Sequence, residues 1–173
     1  IRGLNTGVDG FNRWSFLNRG DLDGHWQMLD TWDPVGKAQL KSFKPKPNPY
    51  FTYGLLSRFS AQHSTVVRTI VSGGKEQSVQ RVFSSTVLSP KSDLTLFIVN
   101  DATNAYPARI TLGTGERTKL WKYQMTAVLA DNPSLTINPV GPIHLKDDRG
   151  FEDQIPGQSL TVYSTFRKKH SDL

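Results

Sequence analysis

The chemically loaded part of the chain is "GVDGFNRWSFLNRGDLDGHW", residues 7–26. It sets Phe11, Trp14, Phe16 and Trp26 among Asn12, Arg13, Asn18, Arg19, Asp21 and Asp23. Aromatic faces pack against the C–H patches of a ring, and amides, guanidinium groups and carboxylates supply fixed donors and acceptors for its hydroxyls. Such a surface suits polar, ring-shaped molecules. The blander alternative makes Trp14 a core aromatic of a buried strand. In that reading Asn18, Arg19, Asp21 and Asp23 form a self-satisfied loop, with Arg19 pairing an aspartate and the Asp-x-Asp-Gly turn bonding its own backbone. Asp21 and Asp23 also resemble a fragment of a calcium loop, but the remaining ligands are missing. His25, His63, His144 and His170 show no ligand spacing, so no metal site is expected. The chain has no cysteine, which excludes thiol catalysis, disulfides and zinc knuckles. No Gly-rich phosphate loop or Ser-His-Asp arrangement stands out, and no cofactor is expected.

The 173 residues are 36% hydrophobic and 10% aromatic, enough for a packed core. The net charge of +6 is not concentrated where a nucleic acid would need it. Residues 1–33 hold Arg2, Arg13 and Arg19 against Asp9, Asp21, Asp23, Asp30 and Asp33, so the excess lies downstream, with a small cluster at Arg167, Lys168 and Lys169. That cluster reads as a solvated end. No apolar run approaches the roughly 20 residues that span a bilayer. Neither a nucleic-acid nor a membrane partner is expected. Ile1 opens directly into "IRGLNTGVDG" without a signal peptide, as though cut from something longer.

The elements around the loaded stretch follow from period and punctuation. Residues 1–6 read as the last turn of a helix, with Gly7 as its left-handed stop. "VDGFNRWSF" reads as a strand, and residues 17–49 as one long loop of the kind that is usually functional. Asn48 caps a helix that opens at Pro49, with Phe51, Leu55 and Phe59 as its apolar stripe. From residue 65 the period changes to two. "TVVRTIVS", "VQRVFSSTVL", "LTLFIVN", "YPARITLG", "KLWKYQMT" and "SLTVYSTF" are strands, with one or two short ones between residues 129 and 157. "LTLFIVN" is apolar on both faces and reads as a doubly buried centre. Trp121 and Tyr123 read as core rather than as a carbohydrate patch. The fold class expected is mainly β: an antiparallel β-sandwich of about eight strands over residues 63–173. Residues 1–62 disagree with it. One strand followed by one helix cannot bury both strand faces, so it needs more sheet to join.

The order of a strand ending in "GFNRWSF", a polar loop, the helix "PYFTYGLLSRF" and then "STVVRTIV" resembles the end of a clan A (β/α)8-barrel glycoside hydrolase of the family 30 or 39 kind. "SDLTLFIVND" and "IPGQSLTVYSTF" resemble strands of the C-terminal sandwich in those enzymes. The resemblance implies that residues 1–62 are the end of helix seven, strand eight, a long loop and helix eight of a TIM barrel. Another segment or chain would complete that barrel. It implies a retaining glycosidase whose two carboxylates lie outside this chain, since Glu76, Glu116 and Glu152 all fall in the sandwich region. No catalytic residue is then expected within it. Trp14 would be a sugar platform at the end of strand eight, and Asn18, Arg19, Asp21, Asp23, His25 and Trp26 would contact glycan from the following loop. The implied partners are a glycan and the N-terminal barrel segment or chain, and the implied location is extracytoplasmic or secreted. The alternative is a non-catalytic carbohydrate-binding or adhesive β-sandwich with residues 7–26 as an extended arm.

Overall fold

A computed structural model describes residues 1–7, 27–33, 35–73, 81–113, 119–130, 132, 136–145 and 150–169. The chain is mainly β, built of antiparallel sheets. Its centre is a six-stranded sheet in the order β3 (Thr65–Val67), β4 (Val82–Leu88), β5 (Leu94–Asn100), β10 (Ser159–Ser164), β7 (Lys119–Thr126) and β8 (Val140–His144). Two ribbons accompany it: β1 (Leu29–Asp33) with β2 (Ala38–Pro45), and β6 (Tyr106–Thr111) with β9 (Gly150–Ile155).

The register explains why both faces of the central sheet are apolar. Phe97, Val162 and Tyr123 lie side by side across β5, β10 and β7, as do Val99, Leu160 and Met125. These side chains share one face with Val87. The alternate positions Leu94, Leu96, Ile98, Tyr163 and Leu120 point the other way. "LTLFIVN" is therefore central and buried on both sides, as its composition suggests.

Each face has its own cover. The helix α2 (Pro47–Phe59) lays Phe51, Leu55 and Phe59 on the first face, all three buried in one cluster with Phe97, Tyr123 and Val162. Spacing of four residues places those side chains on one stripe. The Phe59 ring packs 4.5 Å from Tyr123 and 5.0 Å from Phe166. The β6–β9 ribbon covers the second face with Ile110, Phe151 and Ile155. A polar clasp joins that ribbon to the sheet. Tyr163 on β10 and Lys122 on β7 are cross-strand partners, and Asp153 on β9 meets both. Tyr163 Oη donates to Asp153 Oδ2 at 2.7 Å, and Lys122 Nζ lies 2.7 Å from the same oxygen.

Three sequence expectations are corrected. Residues 17–49 are not one loop, because β1 and β2 form a hairpin within them. Its turn is closed by Val35 N–H donating to Asp33 Oδ1 at 2.9 Å. A Cβ at Gly36 would fall 2.6 Å from Asp33 Oδ2, and Lys37 takes a φ of 48°. β2 is exposed along almost its whole length and rich in lysine, so it carries no apolar alternation to read. The second correction concerns α2, which starts at Pro47 with extended Lys46 as its cap. Asn48 lies inside the first turn and accepts from Thr52 Oγ1 at 3.2 Å. A residue before proline is held extended, so Lys46-Pro47 sets the boundary two residues early. Third, the strand expected over 65–72 pairs only at Thr65–Val67. The neighbouring edge of β4 is taken by the short helix α1 (Arg2–Asn5): Asn5 Nδ2 donates to Ser84 O at 2.7 Å, and Arg2 lies over Phe83. The strand expected at 8–16 lies outside the described residues.

Leu55 is fully buried between helix and sheet. Leu55→Ala should cost about 2–5 kcal/mol, read as a lower urea midpoint at unchanged slope. Asp153 carries a pH signature. Burial pushes its carboxyl up, but hydrogen bonds from Lys122 and Tyr163 and the Lys122 charge outweigh that and hold it below the usual range. Burial and Asp153 push the Tyr163 phenol well up. A carboxylate with a lowered folded pKa stabilises fully above its unfolded value of about 3.9 and loses that contribution as pH falls through the folded value. Asp153→Asn should therefore cost about 1–3 kcal/mol at pH 7, and the gap from wild type in thermal melts should close below about pH 3.9.

Candidate functional site

The flanks of the loaded stretch are fixed to the core. On the upstream side, Ile1 packs against the α2-side cluster and Asn5 is tied to β4. Thr6 Oγ1 donates to Gly3 O at 3.0 Å, and Gly7 takes a φ of 80°, the left-handed stop expected of it. On the downstream side, Gln27 and Met28 are buried, and Lys46 N–H donates to Met28 O at 2.8 Å. That bond ties the start of the β1–β2 hairpin to the start of α2. Lys46 Nζ also lies 3.4 Å from Asp30 Oδ1.

Trp14, Asn18, Arg19, Asp21, Asp23 and Trp26, the residues expected to contact ligand, lie outside the described residues, as does His25. The structure adds Gln27, which sequence reasoning missed. Its side chain is 5% exposed, yet its Oε1 has no hydrogen-bond partner among the described residues. An unsatisfied buried acceptor costs free energy, and Ser85 Oγ, fully buried in β4, is in the same state. The only signal in the sequence was its place directly after Trp26.

The described carboxylates are engaged elsewhere. Glu152 pairs with Arg109 at 3.2 Å on the exposed side of the ribbon. Asp153 belongs to the clasp, Asp101 meets Arg81 at 3.2 Å, Asp33 closes the hairpin turn, and Asp93 accepts from Ser89 in the β4–β5 turn. Among the described residues no group of three His, Asp or Glu side chains gathers as a metal site would need. Tyr123 is fully buried, and Trp121 packs at the edge of the same cluster beneath the Arg167 guanidinium.

No protein-family model matches the chain, and no curated protein matches it. Its structural neighbours are glycoside hydrolases. A GH30 endoxylanase from Clostridium papyrosolvens C71 superposes with a TM-score of 0.53 at 16% identity, over 66% of this chain and 26% of that one. The GH30 subfamily 8 xylanase Xyn30A from Clostridium acetobutylicum gives 0.52 at 12%, over 78% and 30%. The catalytic domain of GH30 xylanase C from Talaromyces cellulolyticus gives 0.54 at 12%, over 71% and 25%. At these identities the likeness is one of fold. The chain spans between a quarter and a third of the length of those neighbours.

Gln27→Met keeps the shape of the side chain and removes the unpartnered oxygen. Thermal stability should hold or rise, by up to about 1 kcal/mol. A clear fall in melting temperature would show that the amide is engaged in the free chain.

Proposed function

We propose that this chain is the C-terminal portion of a retaining glycoside hydrolase. Residues 1–62 supply the end of barrel helix seven, strand eight with its loop, and helix eight. Residues 63–173 form a β-sandwich in which the six-stranded sheet and the β6–β9 ribbon are the two layers. The acid/base and nucleophile carboxylates lie on a barrel segment or chain outside these residues, and hydrolysis runs by double displacement through a glycosyl intermediate. Trp14 is the platform under the sugar, Asn18, Arg19, Asp21, Asp23 and Trp26 hold its hydroxyls, and Gln27 joins them as an acceptor.

The observation that carries this reading is the placement of the two helices. α2 lies across the sheet and α1 meets the edge of the same sheet at β4, with Ile1 just before α1 in the cluster that holds Leu56 and Phe59, and the loaded stretch followed by the β1–β2 hairpin joins the two helices in sequence. Consecutive barrel helices resting on an accessory sheet would be arranged this way, and the strand between them would then end at the catalytic face of the barrel. The fold-level likeness to three GH30 xylanases supports the class and makes xylan the first glycan to test. The described carboxylates support a catalytic pair from elsewhere, since each that faces a partner serves the fold.

The test is purification under native conditions, identification of any associated polypeptide, and assay of xylan hydrolysis with the product anomer followed by NMR. The expected result is an assembly larger than one chain, or a longer polypeptide, that turns over glycan with retention. In it Trp14→Ala should lower kcat/KM roughly tenfold or more, the effect of losing one aromatic contact. A folded, lone chain that binds glycan without turnover in any assembly would contradict the hydrolase.

A further inference from the structure

We propose that the cleft between the first half of α2 and the ends of β5, β7 and β10 binds a neutral saccharide ring. The cleft is a shallow, open depression of about 380 Å³. Its floor is Leu56 of α2 with the cross-strand row Val99, Leu160 and Met125. Leu160 and Met125 are buried in the core, so half-buried Leu56 and Val99 are the apolar surface that the C–H face of one ring would meet.

The rim decides the ligand class. Among the described residues no lysine or arginine lines the cleft, so it is not built for an anion. Asp101 is the one charged group on that described rim, and Arg81 answers it through Oδ2. The remaining rim groups are neutral donors and acceptors. Asn48 uses Oδ1 toward Thr52, which leaves its NH₂ to donate. Gln158 makes no side-chain hydrogen bond among the described residues. Primary amides, a hydroxyl and a carboxylate around an apolar floor match a polyol ring better than a hydrocarbon or a phosphate.

Gln158 supplies the independent observation. Its φ is 46°, left-handed space that a residue with a Cβ enters at a cost and glycine enters freely. The strain is held from both sides: Gln158 N–H donates to Ala102 O at 2.7 Å, and Ala127 N–H donates to Gln158 O at 3.1 Å. Beside it, a Cβ at Gly157 would fall 1.9 Å from Thr103 O. Fully buried Asn100 fixes the same corner. Its Nδ2 donates to Asn104 O and Pro156 O, each at 2.9 Å, and its Oδ1 accepts from Ala102 N–H. The turn would be easier with glycine at 158. A glutamine held there, with its amide at the cleft rim, points to a side chain kept for contact.

Sugar binding at this cleft does not depend on the hydrolase reading, and one experiment separates the two. The protein as purified, with any associated polypeptide present and this chain ¹⁵N-labelled, is titrated with xylobiose and cellobiose to roughly 50 mM, past the millimolar range of weak single-ring binding, with glucuronate as a charged control. Expected are saturable shifts at Asn48, Asp101, Gln158 and Ser159 with the neutral sugars and none there with glucuronate. Gln158→Gly should abolish them while leaving the melting temperature equal or higher, which a merely structural glutamine would also permit but without loss of sugar shifts. Asn48→Ala, on the helix surface, should weaken binding at least about threefold, the effect of one lost hydrogen bond. Shifts confined to residues 8–27 would overturn the α2 cleft site and support the wall of the hydrolase cleft. No saturable shifts at either place would also overturn it, and shifts at the α2 cleft that survive Gln158→Gly would overturn the part given to Gln158.

Discussion

The central strands β5 and β10 are buried on both faces, and everything else in the molecule answers that condition. Phe97, Val162 and Tyr123 face one way; Leu96, Ile98 and Tyr163 face the other. A sheet of this kind cannot stand in water with either side bare, because each large apolar side chain left exposed forfeits about 1.5–3 kcal/mol. One cover is a helix and the other a two-stranded ribbon. The chain therefore has to leave the sheet and return to it on both sides, and the order of its elements follows from that.

The two covers differ in chemistry. α2 is held by apolar and aromatic packing through Phe51, Leu55 and Phe59. The ribbon adds an ionised clasp in which Asp153 satisfies Lys122 and Tyr163 together. A partly buried ion pair contributes little unless its remaining groups are satisfied, and here the phenol completes the set. The helix side carries α1 and α2, and between those helices runs the aromatic, aspartate-rich stretch. Its two ends are pinned by Asn5 at the β4 edge and by the Lys46–Met28 bond at the root of the hairpin.

Much of this was legible in the sequence, and the exceptions have local causes. The α2 stripe, the doubly apolar β5 and the alternation of β7 were readable because period and burial agree in them, whereas β10 reads as one-faced and is buried on both faces. The hairpin was not, because β2 is solvent-exposed and its residues carry no alternating pattern. The stop of β3 after Val67 was not, because it depends on α1, far away in sequence, occupying the β4 edge. The helix start was misplaced because Asn48-Pro49 and Lys46-Pro47 offer competing signals, and the extended residue before the first proline prevails. In the candidate site, the aromatic and polar composition was visible. Gln27, buried with its Oε1 unpartnered among the described residues, was not, since nothing in a sequence distinguishes a satisfied amide from an orphaned one.

Native-state hydrogen exchange across the full chain tests the central claim most directly. If α2 is an obligatory cover of the sheet, amides of residues 51–59 will open only with those of β5 and β10, at the same free energy and with the same denaturant dependence. If α2 amides exchange by a separate, much cheaper opening while β5 and β10 stay protected, the helix is not part of the core and the sheet does not depend on it for cover.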